Sequence, residues 1–132
     1  MKNPKRSMKH NKNFLQKNNM IIKKNIKPLS VNECWQGQRF KTNKYKIYEH
    51  ELLLTLPAQT LPPAPYSIYF EFGLSNVLSD YDNPVKPLQD ILQKKYNFND
   101  KEIFEAKIVK KKVAKGSEYF IFEIKTLIPT LN

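Results

Sequence analysis

One cysteine, three glycines, two histidines and a single tryptophan are all that this 132-residue chain holds of those residue types. A lone cysteine, Cys34, excludes an intramolecular disulfide and any zinc site built on several thiolates, which fits a reducing compartment. Cys34 itself reads as a small buried hydrophobe rather than a reactive thiol. No apolar run approaches the ~20 residues of a membrane span, and the basic N-terminus lacks the apolar stretch of a secretory signal. The expectation is a soluble, cytoplasmic protein with no membrane partner. Acids are scarce too: 12 Asp and Glu stand against 23 Lys and Arg, a formal charge of +11. Such an excess favours an anionic partner, most commonly nucleic acid.

The shortage of acids is local. Residues 1–27 contain nine bases and no acid, while the rest of the chain is nearly balanced, with 14 bases against 12 acids. Residues 1–19 are polar, aperiodic and rich in Lys and Asn, the composition of a disordered basic arm. Residues 20–132 are expected to form a single domain; the chain is 40% apolar, and seven of its eight Phe and all seven Tyr lie there to fill a modest core.

Met20-Ile21-Ile22 with Ile26 predicts a short strand ended by Pro28. A polar-aromatic loop with Trp35, Arg39 and Lys41 follows. Tyr45, Tyr48, Leu52 and Leu56 recur at helical spacing, so an amphipathic helix is predicted from Lys44 to about Leu56, stopped by Pro57. After a proline-rich loop, Tyr66, Ile68, Phe70, Phe72 and Leu74 alternate with other residues, the period of a strand with one buried face. Pro84 suits the first turn of a second helix, with Val85, Leu88, Ile91, Leu92 and Tyr96 on one side. Strands over Ile103–Val113 and Glu118–Ile128 follow, joined by a hairpin-like turn at Lys115-Gly116-Ser117. The order β-α-β-α-β-β predicts an α+β fold in two layers, one mixed or antiparallel sheet with two main helices packed on it.

Between the central strand and the second helix lies Ser79-Asp80-Tyr81-Asp82-Asn83-Pro84-Val85-Lys86. In extended backbone, residues two apart point to the same side, so Asp80 and Asp82 would converge on one cation. Mg²⁺ takes hard oxygen ligands and keeps several waters, so two or three carboxylates hold it. Asp100 is the candidate third: a helix over about 84–95 carries the chain ~18 Å away, and an extended 96–100 returns at most ~17 Å. Each residue also has a plainer reading. Asp82 with Asn83 suits a helix N-cap, Lys86 suits an i,i+4 pair with Asp90, and Asp100 suits a cap or turn. An EF-hand is disfavoured, since counting from Asp80 puts Val85 where glycine is needed and Ile91 where glutamate is needed. Spacing alone does not separate metal site from cap.

Lysines 107, 110, 111, 112 and 115 cluster near the chain's end, and Arg39, Lys41, Lys44 and Lys46 form a second cluster with Trp35 and Tyr45. Such clusters suit phosphate contacts, with an edge strand guarded by lysines as the alternative for Lys110–Lys112. Asp80-x-Asp82-Asn83-x-x-Lys86, followed by a helix and then Asn99-Asp100-Lys101-Glu102-Ile103, resembles the RusA family of Holliday-junction resolvases. Pro28-Leu29-Ser30-Val31-Asn32 is similar to that family's proline- and asparagine-containing segment after the first strand. The similarity spans about residues 20–126 in element order and is specific mainly over 80–103. The resemblance implies that Asp80, Asp82 and Asp100 bind Mg²⁺, with Mn²⁺ as a substitute, and that Lys86 assists at the scissile phosphate. It implies a homodimer on four-way junction DNA. Asn32, with Arg39, Lys41, Lys44, Lys110, Lys111 and Lys112 of the basic clusters, is the expected DNA-binding set, and no small-molecule cofactor is expected. The alternative from the residues is a non-catalytic basic DNA-binding module of the same fold.

Overall fold

The alternation in Tyr66–Leu74 organises the structure, a computed structural model that describes residues 20–37, 39–76, 78 and 80–128. The basic arm expected over 1–19 lies outside the described residues. Tyr66–Leu74 is the strand β4, numbered after three short strands that precede it: β1 (Met20–Lys24), β2 (Trp35–Gln36) and β3 (Phe40–Lys41). Two strands follow, β5 (Ile103–Lys112) and β6 (Tyr119–Thr126). The main sheet has the order β1-β6-β4-β5, with β4 antiparallel to β6 and parallel to β5, and β2-β3 form a separate ribbon. The α+β class, two main helices and mixed sheet agree with the expected order.

The register matches apolar residues across strands: Ile68 faces Ile124, Phe70 faces Phe122 and Phe72 faces Phe120. All four phenylalanines are fully buried, each worth about 1.5–3 kcal/mol of apolar transfer. Helix α1 (Asn43–Thr55) buries Tyr45, Tyr48 and Leu52 in this core, and helix α2 (Val85–Tyr96) buries Leu88, Ile91, Leu92 and Tyr96. Thr42 caps α1 through its side-chain oxygen, which accepts from the Tyr45 N–H. Asn97 ends α2 in the left-handed conformation at φ 55°, where asparagine is tolerated better than most residues.

Three expectations are corrected. First, β5 and β6 do not form a hairpin, because β4 lies between them. The six residues of Val113–Glu118 straddle its end, spanning two strand spacings of ~4.8 Å with ease, and the Val113 N–H bonds the Leu74 carbonyl. Second, β4 is buried on both faces. Ser67 and Glu71 of the second face are only 6% and 7% exposed, and a Cβ on Gly73 would lie 2.2 Å from Tyr119 Cε1, so any side chain there would have to displace the Tyr119 ring. There the Glu71 carboxylate accepts from the Tyr69 and Tyr119 hydroxyls and lies 3.5 Å from Lys111. These bonds hold its pKa below the usual carboxylate range and push both tyrosines up to about 12. Third, the polar-aromatic loop is the β2-β3 ribbon, turned at Gly37 with φ 66°. Among the described residues no helix is long and apolar enough to cross a membrane.

Candidate functional site

After β4 the chain must reverse into α2, and it does so through two overlapping turns. The Asn83 N–H bonds the Asp80 carbonyl at 3.2 Å and the Val85 N–H bonds the Asp82 carbonyl at 3.0 Å. Asp80 and Asp82 are therefore turned rather than extended, since the reversal at Pro84 into the αR region leaves no room for a straight run. Neither Asp82 nor Asn83 caps α2, whose N-cap residue is Pro84 with no side-chain bond. Both carboxylates are exposed, and neither has a hydrogen-bond or ion-pair partner among the described residues. Tyr81 between them is 59% exposed.

The Asn83 carbonyl accepts from the Val31 N–H at 2.8 Å. That bond fastens the Leu29–Asn32 stretch to the aspartate turn. The stretch is held in shape by a capping box: the Asn32 N–H bonds Ser30 Oγ, and the Glu33 carboxylate reaches back to the Ser30 N–H. Ser-x-x-Glu is the sequence signature of that device and was available from the residues alone. Between the two stretches and the end of β4 opens a cavity of about 300 Å³, lined among others by Lys27, Ser30, Glu33, Asn76, Asn83 and Glu118. Bonds from its own backbone N–H and from the Ser75 hydroxyl lower the Glu118 pKa. The sequence offered no sign that Asn76 or Glu118 borders this corner. Cys34, beneath it, is buried, donates to the Ser30 carbonyl and has its thiol pushed up to about 11 chiefly by burial, so it stays protonated and inert.

Lys86 stands on the first turn of α2 and donates to Asp90 at 2.8 Å, the i,i+4 pair foreseen as its plainer reading. Asp100 lies elsewhere. It opens a short 3₁₀ turn, Asp100–Glu102, whose reciprocal cap is made by Asn99 and Glu102, leaving the Asp100 carboxylate exposed and without a partner among the described residues. Ile103 pairs with Tyr66 at the beginning of β4, and Phe98 packs edge-on against Tyr66. Asn83 and Pro84, by contrast, border Leu74 at the strand's other end. Asp100 is thus separated from Asp80 and Asp82 by roughly the length of β4, on the order of 20–25 Å at ~3.3 Å per residue. β4-α2-β5 is a parallel crossover: α2 carries the chain back to the level of Tyr66, and Asp100 stands there, just before β5 sets off again in the direction of β4. Among the described residues no three Asp, Glu, His or Cys side chains converge on a common point.

The basic candidates divide in the same way. Asn32 and Arg39 are exposed on the 3₁₀ turn and the ribbon turn. Lys41 and Lys94 both bind Glu49, at 3.1 and 2.9 Å. Burial alone would raise the Glu49 carboxyl, but the two ammonium groups outweigh it and lower the pKa. Lys44 lies 3.5 Å from Glu33. Along β5, Lys110 and Lys112 stand opposite Phe72 and Leu74, while Lys111 stands opposite Gly73 beside Glu71. Strand alternation therefore splits the lysine run between two faces. No family model matches this chain, and no curated protein matches its sequence.

Proposed function

We propose that the chain is a Mg²⁺-dependent, structure-selective endonuclease that resolves four-way DNA junctions by paired phosphodiester cleavage as a homodimer. One observation carries this: the hydrogen bond from Val31 to the Asn83 carbonyl. It joins Pro28–Asn32 to Asp80–Lys86, the two stretches, distant in sequence, on which the resemblance to the RusA family rests. Asp80 and Asp82 offer exposed carboxylate oxygens, unpartnered among the described residues, of the kind Mg²⁺ takes. A cation there would lower the pKa of an attacking water and offset charge on the phosphoryl oxygens.

Lys86 sets an ammonium at the head of α2, close in sequence to the aspartates, to stabilise negative charge developing on the phosphate. Its bond to Asp90 is exposed and worth only a few tenths of a kcal/mol, so a phosphate competes with it readily. Asp100 enters the site only from a second copy. A two-fold, isologous arrangement would set each Asp80–Asp82 turn beside the other copy's Asp100, giving two equivalent centres for the two cuts that a two-fold junction needs. Asn32, Arg39 and the β5 lysines would add salt-sensitive phosphate contacts.

The test is a synthetic four-way junction with Mg²⁺. Paired symmetric cuts are expected, lowered by ~10²–10³-fold or more in Asp82→Asn. A wild-type chain that leaves the junction intact, or an Asp82→Asn variant that cuts it normally, overturns the proposal. The separation of Asp100 from the other two aspartates favours one second reading, a non-catalytic DNA-binding module. It predicts salt-dependent junction binding that is indifferent to Mg²⁺ and to Asp80→Asn.

A further inference from the structure

The β2-β3 ribbon has two unlike sides. Trp35 pairs with Lys41 and Gln36 with Phe40, so the period of two puts Trp35 and Phe40 on opposite sides. Trp35 packs edge-on against Tyr45 of α1 with ring centroids 5.8 Å apart. At the ribbon's base, the Thr42 N–H bonds the Cys34 carbonyl and the Thr42 hydroxyl bonds the Glu33 carbonyl. The Trp35 side is thereby anchored to the helix layer. Phe40, on the other side, is 73% exposed, and beside it Arg39 is exposed with no acidic partner among the described residues. The ribbon grows directly from the 3₁₀ turn Val31–Glu33, whose first N–H holds Asn83. Ribbon and aspartate turn therefore belong to one corner of the molecule.

We infer that the ribbon is a stacking wedge: Phe40 lies against an unpaired or end-exposed base at a DNA branch point while Arg39 holds a neighbouring phosphate. This rests on the junction-cleaving function proposed above and adds the part of the substrate that the ribbon recognises. A branch point differs from duplex in presenting bases with a free π-face, and every base has one, so stacking on a phenyl ring reads branching without reading sequence. An anchored ribbon is already ordered, so little conformational freedom is lost when the ring finds its base. The exposed apolar surface of Phe40 is covered in the same event.

The experiment measures binding of the full chain in EDTA, so that cleavage does not intervene, to a four-way junction carrying 2-aminopurine at the branch point and to linear duplex of the same sequence. The wild-type chain is expected to prefer the junction and to raise the branch-point emission by unstacking the probe. Phe40→Ala should weaken junction binding by about 5- to 150-fold, the value of one stacked base. It should leave duplex binding unchanged and abolish the emission rise, while Phe40→Trp keeps both. Arg39→Ala should weaken junction and duplex alike and reduce the salt slope by about one. Equal junction affinity in Phe40→Ala and wild type, or an equal loss on junction and duplex, overturns the wedge while junction cleavage stands. A wild-type chain that binds junction no better than duplex overturns both.

Discussion

The two ends of β4 leave the same residue type in opposite surroundings. Beyond Leu74 the chain turns at Asp80–Asn83, is fastened by Val31 and borders a polar cavity. Beside Tyr66 it is sealed by Phe98 and closed by the reciprocal cap of Asn99 and Glu102. Aspartates stand exposed and unpartnered among the described residues at both ends. The local structural work is done by others: Ser30, Thr42 and Asn99 supply the caps. None of Asp80, Asp82 and Asp100 makes a side-chain bond that holds the fold among the described residues, and under the function proposed above their separation makes cleavage depend on two copies of the chain meeting.

The largest effect follows from that separation. Asp82→Asn and Asp100→Asn should each lose cleavage by ~10²–10³-fold or more. Mixed and re-associated, they should regain it in heterodimers, because one of the two composite centres then holds both native aspartates. The other centre holds neither, so the product should be junctions nicked once rather than resolved, visible as unpaired cuts on a denaturing gel. If both aspartates act within one chain, mixing restores nothing.

Next in size are changes that strike both ends at once through the shared core. Phe70→Ala or Phe122→Ala, at fully buried positions, should cost about 3–5 kcal/mol in urea unfolding. Glu71 on the second face comes below them. Replacing it by Leu leaves the Tyr69 and Tyr119 hydroxyls without their acceptor and should cost about 1–3 kcal/mol. The pH dependence carries its sign. The Glu71 pKa is lowered in the fold, so its contribution is present above the unfolded value of ~4.3 and is lost as pH falls through the folded value. The two tyrosines are raised to about 12, so stability also declines as pH rises from ~10 towards 12. Urea midpoints against pH should show both limbs in the wild type and a flatter acid limb in Glu71→Gln.

The parts of this molecule legible in its sequence are those with a repeating pattern. The alternation of Ile68, Phe70 and Phe72 and the helical spacing of Leu88, Ile91, Leu92 and Tyr96 gave strand and helix within a residue or two of their bounds, because one buried face imposes the period. Strand order was hidden. Ser67, Glu71 and Gly73 look like a solvent face, yet Glu105 of β5 and Tyr119 of β6, the strands on either side, cover them. The β2-β3 ribbon was hidden because two-residue strands show no period. At the candidate site the residue types were legible but not their places. The bond from Val31 to Asn83 is between backbones and leaves no mark on side-chain choice, and whether Asp100 returns to Asp82 is decided by parallel pairing, which chain length does not reveal.

The smallest effects sharpen the contrast most finely, since they ask whether neighbouring residues at one end differ in kind. Asn99 accepts from the Lys101 N–H and exchanges bonds with Glu102, so Asn99→Ala should lower stability by about 1 kcal/mol. Asp100→Asn, one residue on, removes no side-chain hydrogen bond or ion pair among the described residues and should change stability by less than ~0.5 kcal/mol. At the other end, Asp82→Asn should be equally silent, because α2 begins without a side-chain cap. Urea midpoints for the three variants, set beside their cleavage rates, separate the two roles. Asn99 is expected to cost stability with cleavage retained at low temperature, and the two aspartates to cost cleavage with stability retained. A loss of ~1 kcal/mol in a companion Asp82→Ala variant would mark Asp82 as a helix-start residue, because asparagine caps as well as aspartate and only alanine removes the capping oxygen.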